Sequence, residues 1–437
     1  MNRLIGPALG EIIKEYMPPV PPYIEIYKDI HQNPELGRQE ARTATIAAEH
    51  LKNIGYTVHT KIGGHGLVGV LENGGGRTIL LRADMDALPV KEETGLPYAS
   101  KKTVIDSAGK ETPVMHACGH DMHTSCLMAV AELMYNARTK WTGILICLFQ
   151  PDEELGGGAQ AMVDGGLYNV IKVPDVILGQ HVYWGRSGNV DVCPGAFLAA
   201  GDSFKVTIIG RGGHGSQPQS TIDPIVISAY IIVRLQSVIS RLISPMEAAV
   251  ITCGSIHGGE RENVIPDRVV FKLNIRTYNE SVRRQVLHAV KRIIRDECNA
   301  SGATEEPIIE PTSSFPVTEN DPTIAGILRT SFKKFFGDAH AGLMERFPGS
   351  EDVSNLARSH GIPYVFWFWG GTDSKQWDEA NDRDRLNDLP RNHSSKFAPV
   401  IEPTLSTGIQ AFALAALQLF AHGTGESFLS KHAGTDR

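Results

Sequence analysis

Three short apolar runs, each ending in side chains able to bind a metal, constrain this chain more than anything else in its sequence. ILLRAD ends at Asp84 and leads on to Asp86, ILICLFQP leads into Asp152-Glu153-Glu154, and VILGQ ends at His181. Apolar runs of strand length bounded by turn residues read as strands. Between the first two lies SCLMAVAELMYNA, residues 125–137, which reads as a buried helix. Strand, helix, strand in this rhythm implies an α/β layer with a mostly parallel sheet. Ligands of an open α/β sheet collect outside the carboxyl ends of its strands, so the three strand ends converge on one edge.

The rhythm changes after about Gly201. Strand patterns at Phe204–Ile209, Ala248–Ile256, Val269–Tyr278 and Pro307–Thr312 alternate with helical patterns at Asp223–Arg241 and Ser281–Cys298. That β-α-β-β-α-β order is the ferredoxin-like arrangement. A helix at Asp321–Phe336, an apolar strand at Pro363–Trp369 and an apolar helix at Thr404–Phe420 then return to the first sheet. The expected fold is a discontinuous α/β catalytic domain, residues 1–200 and 314–437, interrupted by a small α+β domain at 201–313. Two domains also suit a length of 437 residues.

Between the first two runs sits Met115-His116-Ala117-Cys118-Gly119-His120-Asp121-Met122-His123. Singly, the neighbouring residues have ordinary explanations. Asp84 and Asp86 suit a turn or a helix cap, Glu153 and Glu154 a solvated loop, and a lone His181 a satisfied core histidine. Three His, one Cys and one Asp within eight residues are improbable as packing alone.

The strings LRADMDALP, MHACGHDMH, FQPDEELGGGA, GQHV, GRGGHGSQP, GGERENVIPD, PGSEDVSNLA and NHSSKF resemble, in order and spacing, the N-acyl-amino-acid amidohydrolases. That group includes hippurate and auxin-conjugate hydrolases and is a branch of the di-metal aminoacylase–carboxypeptidase family. The resemblance runs from His31 to His393 and implies a zinc-peptidase-like catalytic domain. It implies the metal ligands Cys118, His120, Glu154, His181 and His393. Thiolate, imidazole and carboxylate together suit Zn²⁺ or Mn²⁺, with Co²⁺ or Ni²⁺ also acceptable, and five ligands suit a pair of divalent ions. Asp86 is expected to orient a ligand histidine, with Asp84 in a supporting place, because wider relatives carry a histidine there. Glu153 is the expected general base, taking a proton from water and returning it to the departing amine.

The resemblance further implies that His214 reaches a neighbouring subunit's site and stabilises the oxyanion. Asn263 and Arg276 would grip a substrate carboxylate, and Ser350, Glu351 and Asp352 would line the pocket near the leaving amino acid. The partners so implied are a small amide substrate with a free carboxylate and a second copy of the chain, joined through the inserted domain. Closure of that domain as a lid would complete the site. The charged segment Gly370–Leu389 is either a rim of the pocket or a solvated loop. A net charge of −7 argues against nucleic-acid binding, and no run of eighteen apolar residues suggests a membrane span. Six scattered cysteines and no convincing signal peptide point to a reduced, cytoplasmic setting.

Overall fold

The computed structural model describes residues 6–105 and 109–421. The chain divides into two compact units, one taking the chain up to Gly195, Glu319–Glu345 and Asp352 onward, the other Ala196–Thr318 and Arg346–Glu351. The expected insertion, 201–313, falls within the second unit, which also takes in 346–351.

The first unit is built on an eight-stranded mixed sheet. In spatial order its strands are Thr57–Ile62, Gly66–Asn73, Gly143–Gln150, Thr78–Asp84, Val176–Arg186, Tyr364–Thr372, Val190–Val192 and Ala341–Leu343. The third to sixth run parallel, with registers such as Leu81↔Cys147, Leu81↔Leu178 and Leu178↔Val365. Every residue of Thr78–Asp84 is buried, which explains why that strand reads as one apolar run and not as an alternation. The helices His120–Asn136 and Ile401–Ala421 pack on each other and on the sheet. Trp367, Trp369, Phe412 and Leu405 fill the core between them. Ile401–Ala421 is long and apolar enough to span a membrane, but most of it is buried inside the protein.

Two expectations need correction. The buried helix starts at His120 and not at Ser125, so the metal-binding residue types occupy its first turn. Their polar side chains hid the helix because they face other polar groups and not an apolar stripe. The segment Gly370–Leu389 is not a loop: it finishes a strand at Thr372 and forms a helix, Ser374–Asp382, followed by a short 3₁₀ turn. Asp373 caps that helix by accepting from the Lys375 and Gln376 amides, and Arg186 holds Asp378 through two hydrogen bonds at 2.8 and 3.0 Å.

The second unit has the ferredoxin-like order. Its antiparallel sheet runs Ala249–His257, Arg268–Thr277, Ala200–Ile209, Ile308–Phe315. The helices Pro224–Arg241 and Glu280–Ala300 pack together over it, closing a core of Val206, Ile231, Phe271, Val286 and Ile294. Asp223 and Asn279 cap these helices by accepting from two amides each.

Candidate metal centre

Short-range chemistry fixes the centre before any ion is considered. Gly119 holds a left-handed φ of 83° between Cys118 and the helix, and a Cβ there would stand 2.4 Å from Val182 Cγ1. The loop can therefore pass against the strand Val176–Arg186 only as glycine. The neighbouring strand Thr78–Asp84 pairs with it from Ile79↔Val176 to Arg82↔Gly179 and then ends. Side chains take over beyond that point. The Val182 amide donates to His123 Nε2 at 2.9 Å, and its carbonyl accepts from His181 Nδ1 at 2.7 Å and Asn392 Nδ2 at 3.0 Å.

These bonds settle which ring nitrogens are free. With Nε2 accepting, His123 donates through Nδ1 to Asp84 Oδ1 at 2.5 Å. The other Asp84 oxygen accepts from Arg82 Nη1 at 2.7 Å. Burial pushes the Asp84 carboxyl upward, but His120, His123 and Arg82 outweigh it and hold it well below the usual range. Asp84 and His123 thus bond to each other, and together with His120 they also form a candidate trio of metal donors. His181, donating through Nδ1, turns the lone pair of Nε2 toward Cys118 Sγ, 3.4 Å away. His120 directs Nδ1 to Asp86 Oδ1 at 3.2 Å, leaving Nε2 buried without a hydrogen bond. Asp86 uses its second oxygen to accept from the Glu154 amide at 2.9 Å, tying the histidine to the Glu153-Glu154 turn. Glu154 keeps Oε1 buried without a hydrogen bond and places Oε2 3.4 Å from His393 Nε2. His393, itself left-handed at φ 72°, is held by its amide on the Ala117 carbonyl at 2.8 Å.

Two trios of donor atoms result, Cys118-His120-His181 and Cys118-Glu154-His393, each within 4.8 Å and sharing the sulfur. A further group, His120-Glu153-Glu154, brings the Glu153 carboxylate to the same place. The donor set fits a pair of divalent ions: His120 Nε2 and Glu154 Oε1 are buried without a hydrogen bond and stand 3.9 Å apart, and hydrogen bonding to Cys118 and Glu154 pushes His393 up to about 11. A site that holds a proton that firmly is one that calls for positive charge. The adjacent His116 is buried with neither ring nitrogen hydrogen-bonded, and burial lowers it to about 4, so it stays neutral.

Beneath the centre lies a buried charge network that the sequence reading missed. Arg82 spans Asp84, Gln150 at 2.8 Å and Asp352 at 3.3 Å, and Gln150 also donates to Asp352 at 2.7 Å. An arginine inside an apolar strand was the available signal. His31 is a second such group, between Asp121 at 2.6 Å and Glu92 at 3.1 Å.

The remaining predicted residues belong to the second unit. His214 pairs with Val264 on a short ribbon, and the Gly215 amide bonds to the Asn263 carbonyl at 2.8 Å, so His214 and Asn263 are neighbours. The Ser216 amide donates to His214 Nδ1 at 3.1 Å, which leaves the proton of the neutral ring on Nε2. Arg276 bonds to Ser350 Oγ at 2.6 Å, Asn274 Oδ1 at 2.9 Å and the Pro348 carbonyl at 3.3 Å. All three are neutral, and among the described residues this half-buried guanidinium forms no ion pair. Glu351 is buried.

A centre of this donor set, outside the carboxyl ends of parallel strands and with a further carboxylate beside it, defines a metal-dependent hydrolase. The family model for peptidase family M20/M25/M40 matches residues 80–393, and the chain belongs to that family. It is 37% identical over 345 residues to a hippurate hydrolase of Campylobacter jejuni, covering 78% of this chain and 86% of that one. It is 34% identical over 403 residues to thermostable carboxypeptidase 2 of Saccharolobus solfataricus, covering 90% and 94%. The crystal structure of the YXEP protein of Bacillus subtilis, a dinuclear metal binding peptidase of the M20 family, superposes with a TM-score of 0.70 at 25% identity, covering 93% of this chain and 99% of that one.

Proposed function

We propose that this enzyme hydrolyses the amide bond of small N-acyl amino acids, using two divalent ions held by Cys118, His120, Glu154, His181 and His393. The observation that carries the reading is the pair of donor trios sharing Cys118 with the Glu153 carboxylate beside them. Zn²⁺ or Mn²⁺ suits the mixed thiolate, imidazole and carboxylate donors, and Co²⁺ or Ni²⁺ is an acceptable substitute. When bound, such ions polarise the scissile carbonyl and make water acidic enough to attack near neutral pH. Glu153 takes the proton from the attacking water and hands it to the departing amine. Asp86 keeps the His120 ring turned toward the ions while fixing the Glu154 amide. The Nε2–H of His214 is the donor offered to the developing oxyanion.

The carboxylate of the leaving amino acid is the partner Arg276 lacks, with Asn263, Ser350 and Glu351 lining its place. The acting form is a homodimer through the inserted unit, in which His214 serves the neighbouring subunit's site. Ile225, Val226, Tyr230 and Val233 form an exposed apolar stripe along the helix Pro224–Arg241, beside an edge strand that exposes Val250 and Ile256. This surface supports the dimer. All six cysteines are free, which supports a reducing, cytoplasmic setting.

Dipeptides are the second reading, favoured by the likeness to the carboxypeptidase. Release of free amino acid from hippurate, other N-acyl amino acids and dipeptides, each with and without a blocked carboxylate, tests both. Turnover of N-acyl substrates that blocking abolishes is expected, and turnover of dipeptides alone would select the second reading. Two bound ions with no turnover of either class would mark a binding protein.

A further inference from the structure

Two residues that are not glycine sit in the left-handed region and are tied together: Arg38 at φ 69° and Asp152 at φ 53°. Such backbone is uncommon for residues with a side chain and persists where the surroundings enforce it. Asp152 directly precedes Glu153. Arg38 Nε donates to Asp152 Oδ2 at 2.8 Å. One oxygen of the buried Glu40, Oε1, accepts from both left-handed amides, that of Arg38 at 2.9 Å and that of Asp152 at 2.8 Å. The other Asp152 oxygen packs on Gly37, where a Cβ would stand 2.4 Å from it, so the two positions are matched.

The same residue organises the turn that follows. The Asp152 carbonyl accepts from the Gly158 amide at 3.0 Å and the Gly157 amide at 3.3 Å, and the Glu153 carbonyl from the Gly156 amide at 2.7 Å. The Glu154 amide is already fixed on Asp86. Rotation of the Asp152 backbone would therefore swing the Glu153 carboxylate while Glu154 stayed in place. The Arg38–Asp152 ion pair includes no candidate metal ligand, and its arginine is largely exposed, so metal binding does not require it.

We propose that Arg38, Glu40 and Asp152 form a brace that aims the Glu153 carboxylate, with Arg38 and Asp152 as positioning residues for proton transfer. The proposal rests on the hydrolase reading above. Misplacing a reacting group by about 1 Å can cost about 100-fold in rate, so a loosened brace lowers kcat without weakening substrate or metal binding.

The test uses the metal-loaded enzyme. Asp152→Gly removes the side chain but accepts positive φ, Arg38→Ala removes the brace from its other end, and Asp152→Asn keeps an acceptor for Arg38 on a residue tolerant of that backbone. Asp152→Gly and Arg38→Ala are expected to lower kcat at least about tenfold, with KM and bound metal within about twofold of wild type. Asp152→Asn should stay within about threefold, because it preserves the contact. Hydrogen exchange in the peptide covering residues 152–158 should accelerate in Asp152→Gly and Arg38→Ala, with the rest of the chain unchanged. Unchanged kcat in both variants overturns the proposal, as does a loss of bound metal in step with the rate. A wild type inactive on every substrate refutes the hydrolase reading instead. Exchange then decides the brace, and an unaltered 152–158 peptide overturns it.

Discussion

Replacing Asp84 with asparagine removes one oxygen acceptor and one charge from a site where neither can be replaced. The carboxylate accepts from Arg82 Nη1 at 2.7 Å and His123 Nδ1 at 2.5 Å, and all three side chains are buried. If the amide oxygen of the variant faces Arg82, its NH₂ faces His123. The ring can accept there only by moving its proton to Nε2, where it meets the Val182 amide that now donates to that nitrogen. If the oxygen faces His123, the NH₂ meets the guanidinium. Each arrangement leaves a buried donor against a donor, worth about 1–3 kcal/mol. Arg82 keeps Asp352 at 3.3 Å, so the full cost of breaking a buried pair, about 3–5 kcal/mol, is an upper bound. About 3 kcal/mol at about 2 °C per kcal/mol for a large unit predicts a melting temperature lower by about 6 °C, measured on the metal-free protein. His181 also loses its anchor, since its Nδ1 bonds to the carbonyl of the residue His123 holds, so chelator competition should show metal affinity down by about 10–100-fold. Melting within about 1 °C of wild type, with unchanged metal affinity, would refute the tautomer argument.

Other perturbations separate the parts of the account. Cys118→Ala removes the donor common to both trios and should leave close to no bound metal after dialysis, whereas His181→Ala should leave about one ion per chain. Equal losses in the two variants would contradict the shared-sulfur arrangement. Arg276→Ala should raise KM for hippurate by roughly 10–100-fold, the worth of a charge-assisted hydrogen bond, and make the enzyme indifferent to blocking the carboxylate. A variant that still distinguishes the free acid from its methyl ester would exclude Arg276 from that role. Burial pulls His31 down, but Asp121 and Glu92 outweigh it and raise it from 6.5 to about 9. A raised folded-state value stabilises fully below the unfolded value, and that gain, about 3 kcal/mol, is lost as pH rises from 6.5 through 9. The melting-temperature gap between wild type and His31→Asn should therefore shrink from about pH 6 to about pH 10, and a constant gap would be contrary to the assignment.

Much of this was legible in the sequence because burial on both faces writes itself as an apolar run. Thr78–Asp84 and Gly143–Gln150 read as strands within a residue or two of their ends, and the acids there marked the edge where the donors gather, whereas the run expected to end at His181 continues as a strand to Arg186. The ferredoxin-like order was also readable, since its elements are separated by clear turns and capped helices. What escaped lacks a periodic signature. The start of the helix at His120 is polar because its first turn faces Asp84, Asp86 and His31, not a core. The pairing of His123 with Asp84, and of Arg82 with Asp352 across 270 positions of the chain, follows from three-dimensional closure that no local window contains. The brace was hidden, because Asp152 reads only as one more acid in the turn after a strand. Its partner Arg38 lies 114 positions away, and the left-handed backbone of both has no compositional mark.

The central claim is that Glu153 moves the proton while its neighbours hold the metal, and Glu153→Gln tests it most directly. Metal content per chain and kcat on the best N-acyl amino acid would be measured together for wild type and variant. The account predicts two ions per chain in both proteins, with kcat in the variant lower by about 100-fold or more, the scale of a lost general base. Two ions with kcat within a few-fold of wild type would contradict the assignment of Glu153, and a wild type that binds no metal would contradict the centre itself.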